Sequence, residues 1–141
     1  MTAASDFLEL EVLDHVLGKG TRDYPSPTGL FIALFTAVTG LETNAPSAEV
    51  STSGTAYARV AVTFAAAASG AATTSGDVTF TAATGGGFGT VTHIAIVDHI
   101  SNTTWGSNVN VLFYGALTTS KQIDASDVFK ITAGNLTVSL A

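Results

Sequence analysis

The chain of 141 residues carries eleven acidic and five basic residues, which gives a formal net charge of −6 at pH 7. Charged residues make up only 11% of it, against about 25% in an average soluble domain, and cysteine is absent. This composition excludes a disulfide framework, a thiolate metal site and a basic stripe for nucleic-acid phosphates. The length predicts a single domain over residues 1–141. The low charge content predicts a surface of small neutral residues, which is suited to packing against other subunits.

The N-terminal segment, residues 1–18, predicts a helix. Ser5 is a suitable N-cap, and Gly18 is a natural stop after Leu17. Its apolar residues form two stripes at helical spacing, namely Phe7, Leu10, Leu13 and Leu17 in one and Leu8, Val12 and Val16 in the other. A helix that lies on its own sheet needs one apolar stripe. The second stripe therefore predicts either contact with a neighbouring subunit or one concave surface of the same chain that both stripes touch.

An extended linker is predicted for residues 19–28, which contain Pro25 and Pro27. The next stretch, residues 30–37, is apolar on both alternating faces, which is typical of a central strand. Residues 38–54 form a loop longer than ordinary connections, and such loops are often binding elements or mobile. The β domain is therefore expected to cover residues 29–141.

The stretch 55–64 alternates and predicts a strand with one face toward the core. The side chains predicted to face the core are Ala58, Val60, Val62 and Phe64. Those predicted to face solvent are Tyr57, Arg59 and Thr63. A low-complexity stretch of small residues follows, and no strand is predicted there.

Further short strands are predicted to the end of the chain. They are residues 77–82 with Val78 and Phe80 inward, residues 89–98, 109–117, 128–132 and 136–140, and a short strand near Gln122 and Ile123. In residues 89–98, one face is predicted to hold Thr92, Ile94 and Ile96, and the other Val91, His93, Ala95 and Val97. Residues 133–135 predict a tight hairpin between the last two strands.

About seven or eight strands with no helix between them predict an all-β fold, an antiparallel β-sandwich or its jelly-roll variant, with an N-terminal α-helix.

No motif in the sequence predicts catalysis or a cofactor. The stretch TGGGFG lacks the lysine of a phosphate-binding loop and precedes a strand, so a turn is predicted. His93, Asp98 and His99 are the one compact group of potential metal ligands, and they make a poor zinc site without cysteine. The longest apolar run, residues 30–35, is far shorter than the roughly 20 residues that span a membrane. The sequence thus predicts a non-enzymatic protein with no catalytic, cofactor-binding or metal-binding residue.

Five stretches spread over most of the chain carry a family resemblance. In order they are FLELEVLDHVLG, LFIALFTA, YARVAVTF, FGTVTHIAIVD and LFYGALTTSKQIDASDVFKITAGNLTVSL. Their succession resembles a family of small virion structural proteins of tailed bacteriophages. The resemblance implies a capsid decoration (cement) protein or a small tail or fibre component, without catalytic residues. Residues 98–110 depart from the family pattern, because this loop is longer and carries Trp105.

The favoured hypothesis is a decoration protein that binds the outer surface of the major capsid protein shell and stabilises it. We expect a homotrimer, with neither nucleic acid nor membrane as a partner, located in the virion on the outer capsid surface or on the tail. The predicted partner-binding residues are Phe7, Leu8, Val12, Val16, Glu42, Glu49 and Trp105. One alternative is a small tail or tail-fibre component. Another is a carbohydrate-binding module in which Trp105, Tyr57 or Tyr24 is the stacking platform.

Overall fold

The computed structural model describes residues 3–18 and 27–139. These residues form one helix and nine strands. In chain order the elements are β1 (Ala3–Ala4), α1 (Asp6–Leu17), β2 (Phe31–Phe35), β3 (Val60–Ala61), β4 (Ala71–Thr73), β5 (Val78–Thr79), β6 (Gly89–Val97), β7 (Val111–Ile123), β8 (Lys130–Ile131) and β9 (Thr137–Ser139). Tyr24 and all but the last two residues of the predicted linker lie outside the described residues.

The strands form one large and two small antiparallel sheets. The large sheet has five strands in the order β1-β7-β6-β2-β3, and β4 pairs with β9 and β5 with β8 in two-stranded sheets. The small sheets form a second layer over one face of the large sheet, and the main core lies between the layers. The fold is therefore the all-β antiparallel sandwich that the sequence predicts. Within the described ranges no helix has the length and hydropathy needed to cross a membrane.

The main core joins side chains from both layers. The large sheet contributes Ile32, Leu34, Ile94, Ile96 and Leu112, and the facing side contributes Val78, Phe80, Phe129 and Leu136. Aromatic rings fill its centre: the ring of Phe80 stacks on that of Tyr57 at 6.2 Å between centroids and meets Phe129 edge-on at 5.7 Å. Because Val78 and Phe80 are buried, the predicted inward face of residues 77–82 is confirmed.

A second core covers the opposite face of the large sheet. Its strand residues are Ala33, Phe35, Ala95, Val97 and Val111. Two loops cover them, one through the buried Leu41 and the other through Val109 and Trp105. Strands β2 and β6 are therefore buried on both faces, which confirms the central strand predicted from residues 30–37 and explains the lack of hydrophobic alternation.

A bulge between β6 and β7 changes which residues share a face. Val91 pairs with Lys121 and His93 pairs with Ala116, so residues 117–120 of β7 stand opposite a single residue of β6. The shift places Val91 in the main core with Ile94 and Ile96, whereas alternation placed it on the face of Ala95 and Val97. That assignment of Val91 was wrong, because a bulge interrupts the period of two.

The chain between residues 55 and 64 departs most from its predicted alternation. Only Val60–Ala61 forms a strand, and the backbone of Ala56 has φ 59°, outside the β region. Tyr57 and Arg59 are buried and Ala58 is exposed, so the predicted orientation of these three residues was wrong. Val62 is buried and Thr63 exposed, as predicted.

The C-terminal strands do not form the predicted hairpin. A turn is present, with Gly134 at φ 80° and the Asn135 N–H bonded to the Thr132 carbonyl at 3.0 Å. However, β8 pairs with β5 and β9 pairs with β4, so this turn carries the chain from one small sheet to the other. Strand β4 lies in the small-residue stretch for which no strand is predicted, because alanines carry no alternation of polarity.

Candidate interaction surfaces

The long loop after β2 is packed against the body of the protein. The Thr36 N–H bonds to the Ala48 carbonyl and the Val50 N–H to the Leu34 carbonyl, both at 2.9 Å, so the loop returns along β2. Leu41 at its far end is completely buried in the second core. The loop is thus part of the fold, and only its outer residues are available to a partner.

Asn44 links this loop to the loop that carries Trp105. Its Nδ2 donates to Asn110 Oδ1 at 2.8 Å, and its Oδ1 accepts from the Val111 N–H at 2.7 Å. Asn110 in turn donates to both carboxylate oxygens of Asp98, from its backbone N–H at 2.6 Å and from Nδ2 at 2.8 Å. Asn44 has φ 56°, a conformation that asparagine tolerates better than most residues.

Arg59 makes a second link between the same two loops. Its Nε and Nη2 donate to the two carboxylate oxygens of Glu49, each at 2.7 Å. Its Nη1 donates to the carbonyls of His99 and Asn102 at 2.8 and 2.9 Å. The guanidinium carbon lies 4.8 Å from the ring centroid of Trp105. Arginine suits this position, because its planar fork binds a carboxylate with two parallel bonds and stacks on aromatic rings.

Tyr57 completes this group, which we call the Arg59 cluster (Arg59, Glu49, Tyr57 and Trp105). The Tyr57 hydroxyl donates to Glu49 Oε1 and accepts from the Leu34 N–H, both at 2.9 Å. Burial, with the Glu49 carboxylate beside it, raises the pKa of Tyr57 far above its usual range, so the phenol stays neutral. The described residues contain no buried side-chain polar atom without a partner. The cluster is therefore a satisfied structural clamp, and no orphan group in it points to a ligand.

The three potential metal ligands of the sequence serve local structure. His93 Nδ1 lies 2.8 Å from Thr92 Oγ1, and His99 Nδ1 accepts from the N–H groups of Ser101 and Asn102 at 3.1 and 3.0 Å. The Asp98 carboxylate binds Asn110. Among the described residues, no group of three or more histidine, aspartate or glutamate side chains could hold a metal ion.

Backbone and side-chain hydrogen bonds fix the N-terminal end of helix α1 to the body. The Ser5 N–H donates to the Leu112 carbonyl at 3.1 Å, the Ser5 hydroxyl donates to the Val111 carbonyl, and the Asp6 N–H donates to the Glu42 carbonyl at 3.0 Å. The predicted caps are confirmed: Ser5 Oγ accepts from the Leu8 N–H, and Gly18 closes the helix at φ 69°. The helix contains no fully buried residue.

The exposed side of α1 is its apolar side. Leu10, Leu13 and Leu17, which we call the leucine stripe, are 63%, 54% and 66% exposed, and the neighbouring Val16 is 73% exposed. The half-buried positions are Phe7, Leu8, Glu11 and Asp14. Both stripes of the sequence are thus largely uncovered, apart from Phe7 and Leu8, which pack against the main core. Within the described ranges, no concave surface of the same chain covers them.

Acidic residues gather where the helix meets the long loop. Slight desolvation at this exposed position raises the pKa of the Glu42 carboxyl, and the nearby Asp6 and Glu9 carboxylates raise it further. The macrodipole favours acids in the first turn, so Asp6 and Glu9 remain favourable to the helix itself.

The predicted partner-binding residues lie on separate surfaces. Glu49 and Trp105 meet in the Arg59 cluster, Glu42 lies beside the start of α1, and Val12 and Val16 are exposed along it. Sequence reasoning missed Arg59, because alternation assigned it to solvent. Leu10, Leu13 and Leu17 were recognised as a stripe by their spacing, but their exposure depends on how α1 meets the body.

An apolar groove opens between the large sheet and the β4–β9 sheet. It has a volume of about 310 Å³, and its walls come from the start of β2, from β7, and from the chain around β4 and β9. Among its lining residues are Leu30, Phe64, Ala67, Ala72, Phe113 and Val138. None of the described residues that line it is charged. The groove and the leucine stripe are thus two apolar surfaces that the described part of the chain leaves uncovered.

Comparison with protein families places this architecture among phage proteins. Residues 3–139, from β1 to β9, match the family described as podophage GP4 fiber I protein gp80. No curated protein matches the chain. The match confirms the predicted resemblance to virion structural proteins of tailed bacteriophages. The chain belongs to the podophage GP4 fiber I protein gp80 family.

Proposed function

We propose that this protein is a non-enzymatic structural component of a phage fibre. The observation that carries the proposal is the family match, which extends over residues 3–139 and whose description names a fibre protein. The structure supports a scaffolding role, because the buried polar groups of the described residues are satisfied within the fold. The Arg59 cluster and Asn44 hold the two long loops against the second core, which stabilises a rigid building block.

Capsid decoration, the hypothesis favoured by the sequence alone, has less support. The family description names a fibre and does not mention a capsid shell. Decoration, the outer capsid surface as its location and the major capsid protein as its partner therefore stay predictions. The carbohydrate-binding alternative loses a candidate, because Tyr57 is buried within the Arg59 cluster, and the Arg59 guanidinium lies over the ring of Trp105.

Self-assembly is part of the proposal. A fibre repeats or joins copies of its subunits, and oligomers of identical chains usually close with cyclic symmetry, of which a trimer is one case. The low charge of the chain and the exposed apolar side of α1 support contact between copies. We therefore propose a homo-oligomer, with the homotrimer as the expected state.

Immunogold electron microscopy of the source virion tests this function. Gold-labelled antibody against the purified protein should bind fibres, on intact virions and on isolated tails or fibres alike. Antibody pre-absorbed with the same protein is the control for non-specific gold. Gold distributed regularly over whole heads would favour decoration instead, and absence of the protein from purified virions by mass spectrometry would overturn both proposals.

A further inference from the structure

The leucine stripe and the apolar groove are two uncovered apolar surfaces on one chain. We infer that the leucine stripe of one copy docks into the apolar groove of a second copy. This inference rests on the self-assembly part of the proposed function and names the surfaces that make the contact. It does not depend on where in the virion the protein is located.

No described part of the chain covers its own leucine stripe. Successive helical residues are about 100° apart, which places the stripe roughly 120° around the axis from the side defined by Phe7, Leu8, Glu11 and Asp14. That side is the half-buried one, so the stripe points away from the body. The bonds from Ser5 to the Val111 and Leu112 carbonyls fix the start of the helix and its direction.

A helix with this exposure would gain stability from a partner. Isolated helices shorter than about 12–15 residues are marginal in water, and most helical stability comes from packing of an apolar face. Helix α1 has 12 residues, none of them buried. Covering Leu10, Leu13 and Leu17 by another molecule would add to the packing that Phe7 and Leu8 make with the main core.

The groove has the properties of a helix-binding site. Helices that dock in grooves do so through anchors at positions i, i+3 and i+7, which is the spacing of Leu10, Leu13 and Leu17. The groove is apolar and open, and its volume of about 310 Å³ has room for more than one aliphatic side chain. Small residues such as Ala67 and Ala72 at its wall permit the close approach of a helix.

Charge favours the groove over a second, parallel α1 helix as the surface that covers the leucine stripe. Glu9 and Asp14 flank the leucine stripe on its two sides. Two copies of α1 packed in parallel through the stripe would bring these acids together at the positions where coiled coils place their interhelical ion pairs. The groove offers no such repulsion, because residues 60–76, which form one of its walls, contain no charged side chain. Docking in the groove therefore brings no second set of acids against Glu9 and Asp14.

Each copy in this arrangement gives a helix and receives one. Such a contact is heterologous, and it closes into a ring if the rotation between copies permits, or continues as a filament if it does not. Both outcomes suit a protein that builds an elongated virion structure. The closed ring of three copies would satisfy the expected homotrimer.

Disulfide trapping tests the contact directly, because the chain has no cysteine of its own. One preparation carries Leu13→Cys, in the stripe, and the other carries Ala67→Cys, at the exposed wall of the groove. After mixing and mild oxidation, we expect a mixed disulfide dimer. The matched control replaces Leu13→Cys by His15→Cys, an exposed position on the opposite side of α1, and should cross-link at least about tenfold more slowly.

Each alternative has a distinct result. Rapid Leu13→Cys homodimers without the mixed dimer would show that the helices pair with each other and would overturn the inference. Equal rates for the Leu13 and His15 variants would show random collision, with the same consequence. A monomeric wild-type protein that nevertheless labels fibres in virions would overturn the docking and leave the proposed fibre function intact.

Sedimentation velocity adds a measurement that does not depend on oxidation. We expect Leu13→Glu, and separately Ala67→Glu, to raise the dissociation constant of the assembly at least about tenfold. His15→Glu should leave it unchanged. Circular dichroism checks that each variant is folded, and both positions are exposed, so neither substitution disturbs a core. Unchanged association of the Leu13 and Ala67 variants would overturn the inference.

Discussion

The Arg59 cluster and helix α1 have opposite relations to water. In the cluster, the cation Arg59 is only 6% exposed and the side chain of its anion Glu49 only 17%, and each is held by several hydrogen bonds. In α1, three leucines and a valine remain more than half exposed, while Glu11 and Asp14 are half-buried. The buried polar region is complete within one chain, whereas the exposed apolar region is incomplete. The difference teaches that the polarity of a side chain does not by itself determine whether this protein buries it.

The largest expected loss of unfolding free energy comes from removing Glu49, the anion of the Arg59 cluster. Glu49→Ala leaves the Arg59 guanidinium buried without its counter-charge, and removal of one partner from a buried pair costs about 3–5 kcal/mol. Urea unfolding followed by the fluorescence of Trp105, the one tryptophan of the chain, measures the loss. The double variant Arg59→Met/Glu49→Leu removes both charges and should recover most of it. Equal losses in the single and double variants would contradict this explanation.

A pair of leucine substitutions sharpens the comparison. Leu41→Ala empties a fully buried site in the second core, and we expect a loss of about 2–5 kcal/mol. Leu13→Ala removes the same atoms from an exposed helix position and should change the stability of the isolated chain by less than about 0.5 kcal/mol. Thermal unfolding at high dilution, where copies are separate, checks both. A large loss for Leu13→Ala at high dilution would mean that its own chain covers the stripe.

Asn44 provides a neutral counterpart to the ion pair of the cluster. Asn44→Gly leaves the Val111 N–H without its side-chain acceptor, which we expect to cost about 1–3 kcal/mol in unfolding free energy. Asn44→Ala should cost more, because alanine is disfavoured at φ 56° and glycine is not. Chemical denaturation of the two variants separates the lost bonds from the backbone strain. Equal stability of the two variants would show that backbone strain at position 44 contributes nothing to the loss.

The smallest effect is expected at an exposed ion pair. The Lys130 ammonium, 2.6 Å from Asp77 Oδ2, and the Ala133 N–H hold the pKa of the Asp77 carboxyl below its usual range. A lowered folded-state pKa contributes stability above the unfolded-state value, and this contribution is lost as pH falls through the folded-state value.

Asp77→Asn should therefore lower Tm slightly near pH 7, and the difference from wild type should shrink as the pH falls toward 3. Calorimetric scans across this range measure it. Lys130→Met removes the main cause of the pKa shift and should reduce the pH dependence in the same way. A Tm difference that stays constant with pH would show that the Asp77 charge is not responsible.

Several elements were predictable because their signals are local. The caps of α1 depend on Ser5 and Gly18, and both act within one helical turn. Strands β2 and β6 were recognised from continuous apolar runs, which a half-exposed strand does not carry. Val78 and Phe80 were placed in the core by simple alternation. The family resemblance used the order of such segments, so it too depended on local sequence.

The remaining features depended on contacts between distant parts of the chain. Arg59 is buried because Glu49, the carbonyls of His99 and Asn102, and Trp105 converge on it, and no short-range pattern records that convergence. The C-terminal turn was foreseen, but the pairing of β8 with β5 and of β9 with β4 was not, since partner choice depends on the whole sandwich.

The sequence by itself determined an antiparallel β fold with a capped N-terminal helix and a phage structural family, because periodicity, capping and motif order are written in neighbouring residues. Only the tertiary structure decided that the charged Arg59 is internal and that the leucine stripe is external. The physical reason is that burial is a property of an assembled surface. A side chain is removed from water by whatever the completed fold brings against it, and nothing within residues 3–18 and 27–139 covers the stripe.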